Sequence, residues 1–313
     1  MKLVILDAQA LNPGDLSWDF FTSYAEVTVY QHTPENLVAE RIGNADAILI
    51  NKININSSVI EKCKNLRYIG VLATGYNVIQ VEAVKKAGII VSNIPAYSTS
   101  AVAQHTFALL LNFTNQVAFH NESVLNGDWK KSQIFCYWKK PMTELEGKTF
   151  GIFGYGNIGK KVEKIAESFG MNVIVCPHKP NGKPNCVSKK ELFEKSDIIS
   201  LHAPLTSETE KIIDKTSIKK MKDGVFILNT ARGGLVCEND VKAALESGKI
   251  AGYGADVLEE EPMTEDCVLF GAKNCVLTPH IAWAPLETRK RCLRIGEENF
   301  VAWLNGKPQN TIY

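Results

Sequence analysis

The chain has 313 residues, 45% apolar and 22% charged, a composition typical of a globular protein long enough for two domains. Lysine and arginine total 35 and aspartate and glutamate total 34, so no overall charge favours nucleic acid or an anionic membrane surface. No apolar run approaches the roughly 20 residues that span a bilayer, and Met1 leads into an apolar segment unlike a signal peptide. These features predict a cytoplasmic protein whose partner is a small molecule.

Short apolar segments alternate with helical segments along the first third of the chain. Five of the apolar segments are rich in β-forming residues, namely KLVILD, VTVY, DAILIN, RYIGVLA and IIVSN. Helical spacing appears between them, in PENLVAERIG and SSVIEKCKN. Alternation of this kind predicts a parallel sheet covered by helices.

The pattern changes after Ile94. Helical spacing continues from Ser100 to Gly127, which predicts one long helix, and an aromatic, irregular stretch, WKKSQIFCYWKKP, follows it. Exposing Phe135 and Trp138 to water would be unfavourable, so we predict that this arm packs against a second copy in a homodimer. Packing of the helix within its own chain is the alternative.

A second alternating series begins with the segment TFGIFG and continues into a glycine loop, Gly154-Tyr155-Gly156-Asn157-Ile158-Gly159. The first glycine permits a tight turn, the second lets the backbone approach a pyrophosphate, and the third lets the following helix press on the strand. The N–H groups at the start of that helix favour an anion. A second strand segment, NVIVC, ends about 20 residues later, as a βαβ unit requires. The loop therefore predicts a dinucleotide rather than an ordinary turn.

Four further strand segments, DIISLHAP, GVFILNTA, GYGADV and CVLTPH, complete a predicted doubly wound sheet. Arg232, Glu261 and His280 follow the last three of them, at the sheet edge where such folds bind their ligands. An arginine fork matches a carboxylate, and a histidine beside a carboxylate transfers protons near neutral pH. Together they predict hydride transfer between a nicotinamide and a 2-oxo acid. Each residue alone is equally consistent with a surface ion pair, a solvated acidic run or a core histidine.

Several segments resemble one known family. NTARGGLV, GADVLEEEP and TPHIAWA, with GYGNIG and HAPLTSET before them, are similar to the D-isomer-specific 2-hydroxyacid dehydrogenases, and the similarity covers essentially the whole chain. The resemblance implies an α/β protein in which a Rossmann domain is inserted into a flavodoxin-like domain, each with a doubly wound parallel sheet. It implies a substrate domain of residues 1–98 and 285–313 and a dinucleotide domain of residues 99–284, whose residues 99–146 include the dimer arm. It also implies a cleft between the domains that closes by hinge motion.

The resemblance also implies roles for single residues. Arg232 would bind the substrate carboxylate, His280 would be the general acid in reduction, and Glu261, the acid immediately before Pro262, would be its partner. Asp256 would receive the nicotinamide carboxamide. The other implied contacts to the cofactor are His202, Ala203, Pro204 and Thr209 after one strand, and Thr74, Thr230, Ala231 and Ala282 after others.

The first domain indicates the branch of the family. The segment VLATGYNV around Thr74 and Gly75 resembles the glycerate dehydrogenase/hydroxypyruvate reductase branch, so we predict reduction of hydroxypyruvate or glyoxylate to D-glycerate or glycolate. Backbone N–H groups at Thr74 and Gly75 would take a substrate carboxylate oxygen, and Asn51 or Lys52 would meet a distal hydroxyl. Lys52 is equally consistent with a lysine that faces solvent. Trp283 would add an aromatic wall to the site. Trp138 would either reach the neighbouring subunit's cleft or be an ordinary core tryptophan.

The cofactor preference depends on the end of the second dinucleotide-domain strand. NAD-selective members of the family carry an acid there that accepts both ribose hydroxyls, and this chain has Pro177 instead. The adjacent His178 and Lys179 would attract a 2′-phosphate, so we predict NADP(H). NAD(H) remains the alternative if Lys179 lies on a solvated turn.

Cysteines are scattered between Cys63 and Cys292, eight in all, without the paired CxxC spacing of a metal site. Several lie in apolar strand segments, which predicts reduced, mostly buried thiols and no metal.

Other functions share parts of this pattern. A formate dehydrogenase would have a glutamine where Glu261 stands, and a regulated phosphoglycerate dehydrogenase would add an effector domain beyond Tyr313. A reductase for another short 2-oxo acid has the same motifs. A dinucleotide-sensing corepressor has the same fold and retains the Arg, Glu and His set, so turnover is what separates it from an enzyme.

Overall fold

The computed structural model describes residues 1–179 and 182–313 and divides the chain into two compact units. The first consists of Met1–Ser98 and Trp283–Tyr313, and the second of Thr99–Ala282. Trp283 and Ala284, which the sequence analysis placed in the second domain, thus belong to the first unit, because Trp283 packs against an apolar cluster of that unit. The assignment of substrate to one unit and dinucleotide to the other stays a prediction.

The first unit contains a five-stranded parallel sheet. Its strands are β1 (Lys2–Ile5), β2 (Glu26–Val29), β3 (Ala47–Ile50), β4 (Tyr68–Val71) and β5 (Ile90–Ser92). They lie in the order β2-β1-β3-β4-β5, which is the flavodoxin-like order. Every residue of β3 and β4 is buried, as expected for central strands with helices on both faces. All five predicted strand segments are present.

Short helices cover this sheet. They are α1 (Ala8–Leu11), α2 (Asp19–Thr22), α3 (Val38–Ile42), α4 (Ser57–Lys62) and α5 (Val81–Lys86), with a 3₁₀ turn at Glu35–Leu37. The C-terminal helix, Leu286–Leu304, returns to the same unit. Its Arg289 forms two hydrogen bonds of 2.6 Å with Asp15, and its fully buried Phe300 packs edge-on against Phe21 and Tyr68.

The second unit contains a six-stranded parallel sheet. Its strands are β6 (Thr149–Phe153), β7 (Asn172–Cys176), β8 (Ile198–Leu201), β9 (Val225–Asn229), β10 (Ile250–Ala255) and β11 (Cys275–Leu277). They lie in the order β11-β10-β9-β8-β6-β7, and all six predicted strand segments are present. The direction of the chain across the sheet reverses between β6 and β8, and doubly wound sheets bind ligands at the carboxyl ends beside such a reversal.

Seven helices accompany this sheet in the described residues. They are α6 (Thr99–Thr114), α7 (Val117–Leu125), α8 (Asp128–Lys131), α9 (Asn157–Ser168), α10 (Lys189–Lys195), α11 (Lys215–Lys220) and α12 (Glu238–Ser247), with a 3₁₀ turn at Gly233–Leu235. Within residues 1–179 and 182–313, no helix is long and apolar enough to cross a membrane.

The prediction of one continuous helix from Ser100 to Gly127 is wrong. The helix ends at Thr114, Gln116 adopts a left-handed φ of 51°, and a new helix begins at Val117. The Thr114 hydroxyl bonds to the Asn115 side chain at 2.9 Å, and such local hydrogen bonds compete with the helical backbone. The apolar spacing continues across the break, which is why the sequence pattern conceals it.

The α7 and α8 region carries an exposed apolar surface, which we call the arm patch. Its members are Val117, Leu125, Trp129, Ile134, Phe135 and Trp138. Phe135 is 88% exposed and Trp138 is 65% exposed, so Trp138 is not an ordinary core tryptophan. The Tyr137 hydroxyl, in contrast, is hydrogen-bonded to Ser123 at 2.9 Å.

All eight cysteines are free thiols in the described residues. Only Cys63 and Cys292 are buried, and the others are half-buried, so the expectation of mostly buried thiols is wrong. Cys176 and Cys275 illustrate the reason, because they lie in β7 and β11, the two edge strands of the second sheet.

Candidate active site

The glycine loop connects β6 to α9 in the tight turn that its sequence requires. Gly154 has a φ of 91°, and a Cβ atom there would lie 2.4 Å from the Ala203 nitrogen. A Cβ at Gly159 would lie 2.5 Å from the Gly154 oxygen. At Gly156 a Cβ would meet no described atom within 4 Å, so the backbone there borders open space. The N-terminus of α9 follows directly, and the whole loop fits a pyrophosphate.

His202 follows β8 and lies half-buried beside this loop. Its Nε2 atom is hydrogen-bonded to the Ser200 hydroxyl at 2.8 Å, and its buried Nδ1 atom has no hydrogen-bond partner among the described residues. Burial lowers the pKa of His202 to about 3, so the ring is neutral at physiological pH. A buried polar atom without a partner is unfavourable, and a polar group of a bound cofactor would relieve it. The geometry is therefore compatible with a dinucleotide.

Tyr155 of the glycine loop is held by a buried carboxylate that the sequence analysis missed. Its hydroxyl donates to Glu163 on α9, which also accepts from Lys183 at 2.9 Å and from Asn185 at 2.9 Å. Burial opposes ionisation of Glu163, but these hydrogen bonds outweigh it and leave its pKa lowered. Glu163 lies on α9, whereas its partners Lys183 and Asn185 follow β7. No local sequence pattern therefore revealed the cluster.

The segment at the end of β7 carries the residues predicted to read the ribose. Pro177 is half-buried, and His178 and Lys179 are exposed. The His178 Nδ1 atom lies 4.0 Å from the Glu208 carboxylate, and these side chains are 77% and 76% exposed. No acid was expected beside the predicted ribose site, and the contact between His178 and Glu208 corrects that expectation. An exposed pair of this kind contributes little to stability.

Several of the remaining predicted cofactor residues form hydrogen bonds or apolar contacts within the protein. The Thr209 hydroxyl donates to the Pro204 carbonyl at 2.7 Å and accepts from the Thr206 N–H at 2.8 Å. Thr230 is nearly buried and its hydroxyl lies 3.1 Å from that of Thr106. Ile158 packs against the apolar cluster behind the sheet, whereas Asn157 is exposed.

The turn after β9 positions Arg232. The fully buried Asn229 side chain donates to the Arg232 carbonyl at 2.9 Å and accepts from the Ala231 N–H at 3.1 Å. The Arg232 guanidinium itself donates to the Ala231 carbonyl at 2.6 Å. Asn229 was not predicted as a site residue, and the available signal was a polar residue at the last position of an otherwise apolar strand.

The loop that carries Glu261 lies against this turn. A Cβ atom at Gly233 would lie 1.8 Å from the Leu258 carbonyl carbon, so only glycine permits the approach. The Leu258 N–H donates to Glu261 Oε1 at 3.0 Å, and Glu259 pairs with Lys211 at 3.3 Å. These contacts fix the Glu261 loop relative to the Arg232 turn.

Glu261 and His280 form the predicted pair. The His280 Nδ1 atom lies 2.6 Å from Glu261 Oε2, and both side chains are partly exposed. The His280 backbone has a left-handed φ of 55°, and its N–H donates to the Thr278 carbonyl at 2.9 Å. A carboxylate at Nδ1 sets the tautomer and leaves Nε2 available for proton exchange.

Asp256 is committed to the same turn. Its carboxylate is 1% exposed and accepts from the Thr278 hydroxyl at 2.6 Å and from the N–H groups of Ile281 and Ala282, each at 2.8 Å. The predicted contact with a nicotinamide carboxamide stays a prediction. What the structure adds is that Asp256 holds the residues on both sides of His280.

The predicted substrate residues other than Arg232 and His280 belong to the first unit. Asn51 is buried, and its side-chain amide donates to the Leu72 carbonyl at 2.9 Å. The Thr74 hydroxyl likewise donates to the Ile94 carbonyl at 2.7 Å, while Gly75 and Trp283 are half-buried. Asn51 therefore stabilises the end of β3 through its hydrogen bond to the Leu72 backbone.

Asp7 fixes the segment that contains Lys52. Its carboxylate accepts from the N–H groups of Asn51 at 2.8 Å and Lys52 at 2.6 Å. Burial raises the pKa of Asp7, although those hydrogen bonds oppose the rise. Lys52 and Asp7 border a cavity of about 460 Å³ at the carboxyl ends of β1, β2 and β3. Lys52 thus lies at the edge where parallel sheets bind their ligands.

The chain is similar to known proteins over essentially its whole length. The family model for D-isomer specific 2-hydroxyacid dehydrogenase, NAD binding domain, matches residues 107–282. The chain belongs to the D-isomer-specific 2-hydroxyacid dehydrogenases. It is 47% identical to a hydroxypyruvate reductase of Blautia hydrogenotrophica, over 100% of this chain and 99% of that protein. It is 36% identical to a glycerate dehydrogenase of Methylorubrum extorquens, over 99% of this chain and 98% of that protein.

Solved structures agree with the assignment. An acyclic imino acid reductase in complex with NADPH and D-Arg has a TM-score of 0.87 and 34% identity, with 100% of both chains covered. A D-2-hydroxyisocaproate dehydrogenase has a TM-score of 0.83 and 26% identity, over 100% of this chain and 99% of that chain. The predicted family, branch and fold class are confirmed. The enzyme is an oxidoreductase that uses a nicotinamide dinucleotide.

The contact at Gly233 generates a first prediction. Gly233→Ala should displace the Glu261 loop from the Arg232 turn and lower kcat/KM for a 2-oxo acid by about 10- to 100-fold, because small displacements of catalytic groups are costly. Gly234→Ala is the matched control, since a Cβ there meets only the Leu205 side chain, at 2.9 Å, which can rotate. Steady-state kinetics and the melting temperature of both variants provide the measurement. Equal activity in the two variants would contradict the packing argument.

Proposed function

We propose that this dehydrogenase reduces hydroxypyruvate to D-glycerate and glyoxylate to glycolate. The observation that carries the proposal is the 2.6 Å bond between His280 and Glu261 in the sheet that also carries Arg232 and the glycine loop. Proton transfer to a carbonyl oxygen requires a positioned acid, and a histidine paired with a carboxylate provides one. The names of the similar proteins narrow the substrate to short 2-oxo acids: besides the two relatives above, a glyoxylate reductase of Thermococcus litoralis is 36% identical over 89% of this chain.

Each residue has a defined part in the proposed reaction. A nicotinamide dinucleotide held at the glycine loop would supply the hydride that the carbonyl carbon of the 2-oxo acid accepts. The Arg232 guanidinium donates two N–H groups to the substrate carboxylate and so orients the carbonyl. The His280 imidazolium gives its Nε2 proton to the carbonyl oxygen, which becomes the product hydroxyl. The Glu261 carboxylate holds the ring in place through the hydrogen bond at Nδ1. In oxidation the same proton returns to His280.

A panel of 2-oxo acids tests this proposal. We expect higher kcat/KM for hydroxypyruvate and glyoxylate than for phenylpyruvate, because the polar border around Lys52 suits short hydroxylated chains. His280→Ala should lower kcat by roughly 10²- to 10⁴-fold and leave the dinucleotide dissociation constant nearly unchanged. A preference for phenylpyruvate would reject the substrate proposal. Tight dinucleotide binding without turnover of any 2-oxo acid would instead favour a dinucleotide-sensing protein.

We further propose that the preferred cofactor is NADP(H). Pro177 stands where an acid would bind the ribose hydroxyls, and the exposed Lys179 follows it closely. The similar imino acid reductase was solved with NADPH. Glu208 opposes this preference, because its carboxylate lies 4.0 Å from His178 and would repel a phosphate. Lys179 is therefore the main cation in the proposal.

Substitutions at this segment test the preference. Lys179→Ala should weaken NADPH binding by about 1–2 kcal/mol, the scale of one charge-assisted contact, with little effect on NADH. Pro177→Asp should shift selectivity toward NADH, and Glu208→Gln should shift it toward NADPH. Lys164→Ala, at an exposed lysine of α9, is the matched charge control. The measurement is the ratio of kcat/KM for the two cofactors. A wild-type enzyme that favours NADH more than about tenfold would show that Pro177 does not mark a phosphate site.

We also propose a cytoplasmic homodimer. The free thiols support a reducing compartment. The arm patch supports self-association, because large exposed apolar side chains are unfavourable in water and a twofold mate would cover them. Whether Trp138 then reaches the neighbouring active site stays a prediction.

Sedimentation tests the dimer. We expect a dimer at micromolar concentration and a monomer when Phe135→Asp and Trp138→Asp are combined, because two charges oppose burial of the arm patch. Phe270→Asp is the control, since Phe270 is 73% exposed but lies outside the arm. A wild-type protein that sediments only as a monomer would reject the proposal.

A further inference from the structure

His105 on α6 contacts the active-site turn, although no role was predicted for it. Its Nε2 atom lies 2.9 Å from the Thr278 hydroxyl and 3.6 Å from Asp256 Oδ1. The shorter distance is a hydrogen bond and the longer one is not. The contact to Asp256 therefore passes through the Thr278 hydroxyl, which lies 2.6 Å from the same Oδ1 atom.

The direction of these hydrogen bonds follows from the donors available. A threonine hydroxyl has one proton and accepts through its lone pairs, whereas an ionised carboxylate only accepts. The 2.6 Å distance between Thr278 and Asp256 is typical of an O–H group donating to a carboxylate. The single hydroxyl proton is then used, so the His105 Nε2 atom must donate its own proton to Thr278. His105 thus determines which way the hydroxyl points.

The turn after β11 depends on that hydroxyl. His280 has a left-handed φ of 55°, a conformation that is unfavourable for a non-glycine residue and persists only when its surroundings hold it. Asp256 holds it from both sides, through Thr278 before His280 and through the N–H groups of Ile281 and Ala282 after it. A carboxylate that is 1% exposed requires all of these donors.

The register of the sheet places α6 across three strand ends. Asn229, Ala255 and Leu277 are paired across β9, β10 and β11, so the next residues, Thr230, Asp256 and Thr278, form a row. His105 contacts Thr278 at one end of the row, and the adjacent Thr106 contacts Thr230 at the other, at 3.1 Å. The α6 helix is therefore part of the support of the site.

We propose that His105 is a positioning residue for His280: by donating to the Thr278 hydroxyl it directs that hydroxyl to Asp256 and holds His280 in place for proton transfer. The proposal rests on the proposed function of His280 as the general acid. It concerns orientation, because His105 acts on His280 through the Thr278 hydroxyl.

Three variants separate hydrogen bonding from packing. His105→Leu removes the donor and keeps much of the bulk, and His105→Gln keeps an N–H donor at a similar distance from the backbone. Thr278→Val removes the hydroxyl and keeps the shape. We expect His105→Leu to lower kcat by roughly 10-fold, with the KM of the 2-oxo acid changed less than about 3-fold. His105→Gln should recover most of the loss. Gln104→Leu, at an exposed position of the same helix, is the control.

A double variant tests whether both residues act through one contact. His105→Leu combined with Thr278→Val should be no slower than Thr278→Val alone, because the His105 bond no longer has an acceptor. Additive losses would overturn the proposal, as would equal losses in His105→Leu and His105→Gln. A His105→Leu variant with wild-type kcat would overturn it as well.

Hydrogen exchange provides a readout without turnover. Amide exchange in a peptide that contains Ile281 and Ala282 should be faster in His105→Leu than in wild type, and near wild type in His105→Gln. Unchanged exchange in His105→Leu would overturn the proposed support of the turn. A wild type without turnover of any 2-oxo acid would reject the proposed function instead, while the exchange comparison would still decide whether His105 holds the turn.

Discussion

The buried carboxylate of Asp256 is the constraint on which the site depends. It follows β10 and binds the turn that follows β11, and its own N–H donates to the Asn229 carbonyl at the end of β9 at 3.0 Å. A buried charge is strongly unfavourable unless donors surround it, so the fold must supply these donors for the protein to be stable. Stability and active-site geometry therefore depend on the same atoms. The left-handed conformation of His280 is a consequence of that arrangement.

A second constraint acts between loops. Gly233 lets the Leu258 backbone approach the Arg232 turn more closely than any side chain would permit. Arg232 and Glu261 thus come from loops that touch, and His280 is joined to Glu261 at 2.6 Å. The three groups lie in loops that follow strands, and backbone contacts hold these loops. Rigid strands position side chains more precisely than long loops alone. The arrangement accounts for why loops far apart in the chain lie in contact with one another.

The sequence predicted the structural features that recur along the chain or that form a local motif. All eleven strands were recognised, because a buried parallel strand is a short apolar run between helices, and the glycine loop was recognised by its spacing. The break at Gln116 was missed because a left-handed residue leaves the apolar period unchanged. His105 and Glu208 were missed because their partners lie on other elements, and no local pattern records such contacts. Asn229 was missed although its partners, Ala231 and Arg232, are local, because its signal was only one polar residue at the end of an apolar strand. Cysteine exposure was misjudged because the order of strands, which sets the edges, is a property of the whole sheet.

The chain is similar to an imino acid reductase, so imine reduction must be distinguished from ketone reduction. The two reactions differ in when the substrate must receive a proton. An imine nitrogen is basic enough to be protonated before hydride arrives, whereas a ketone oxygen takes its proton only as the alkoxide forms. Reduction of a 2-oxo acid therefore depends more strongly on an acid fixed beside the carbonyl oxygen. In this chain His280 is bound at Nδ1, and the residues on both sides of it are tied to Asp256. Such extensive restraint of one imidazole favours carbonyl reduction as the reaction for which the site is built.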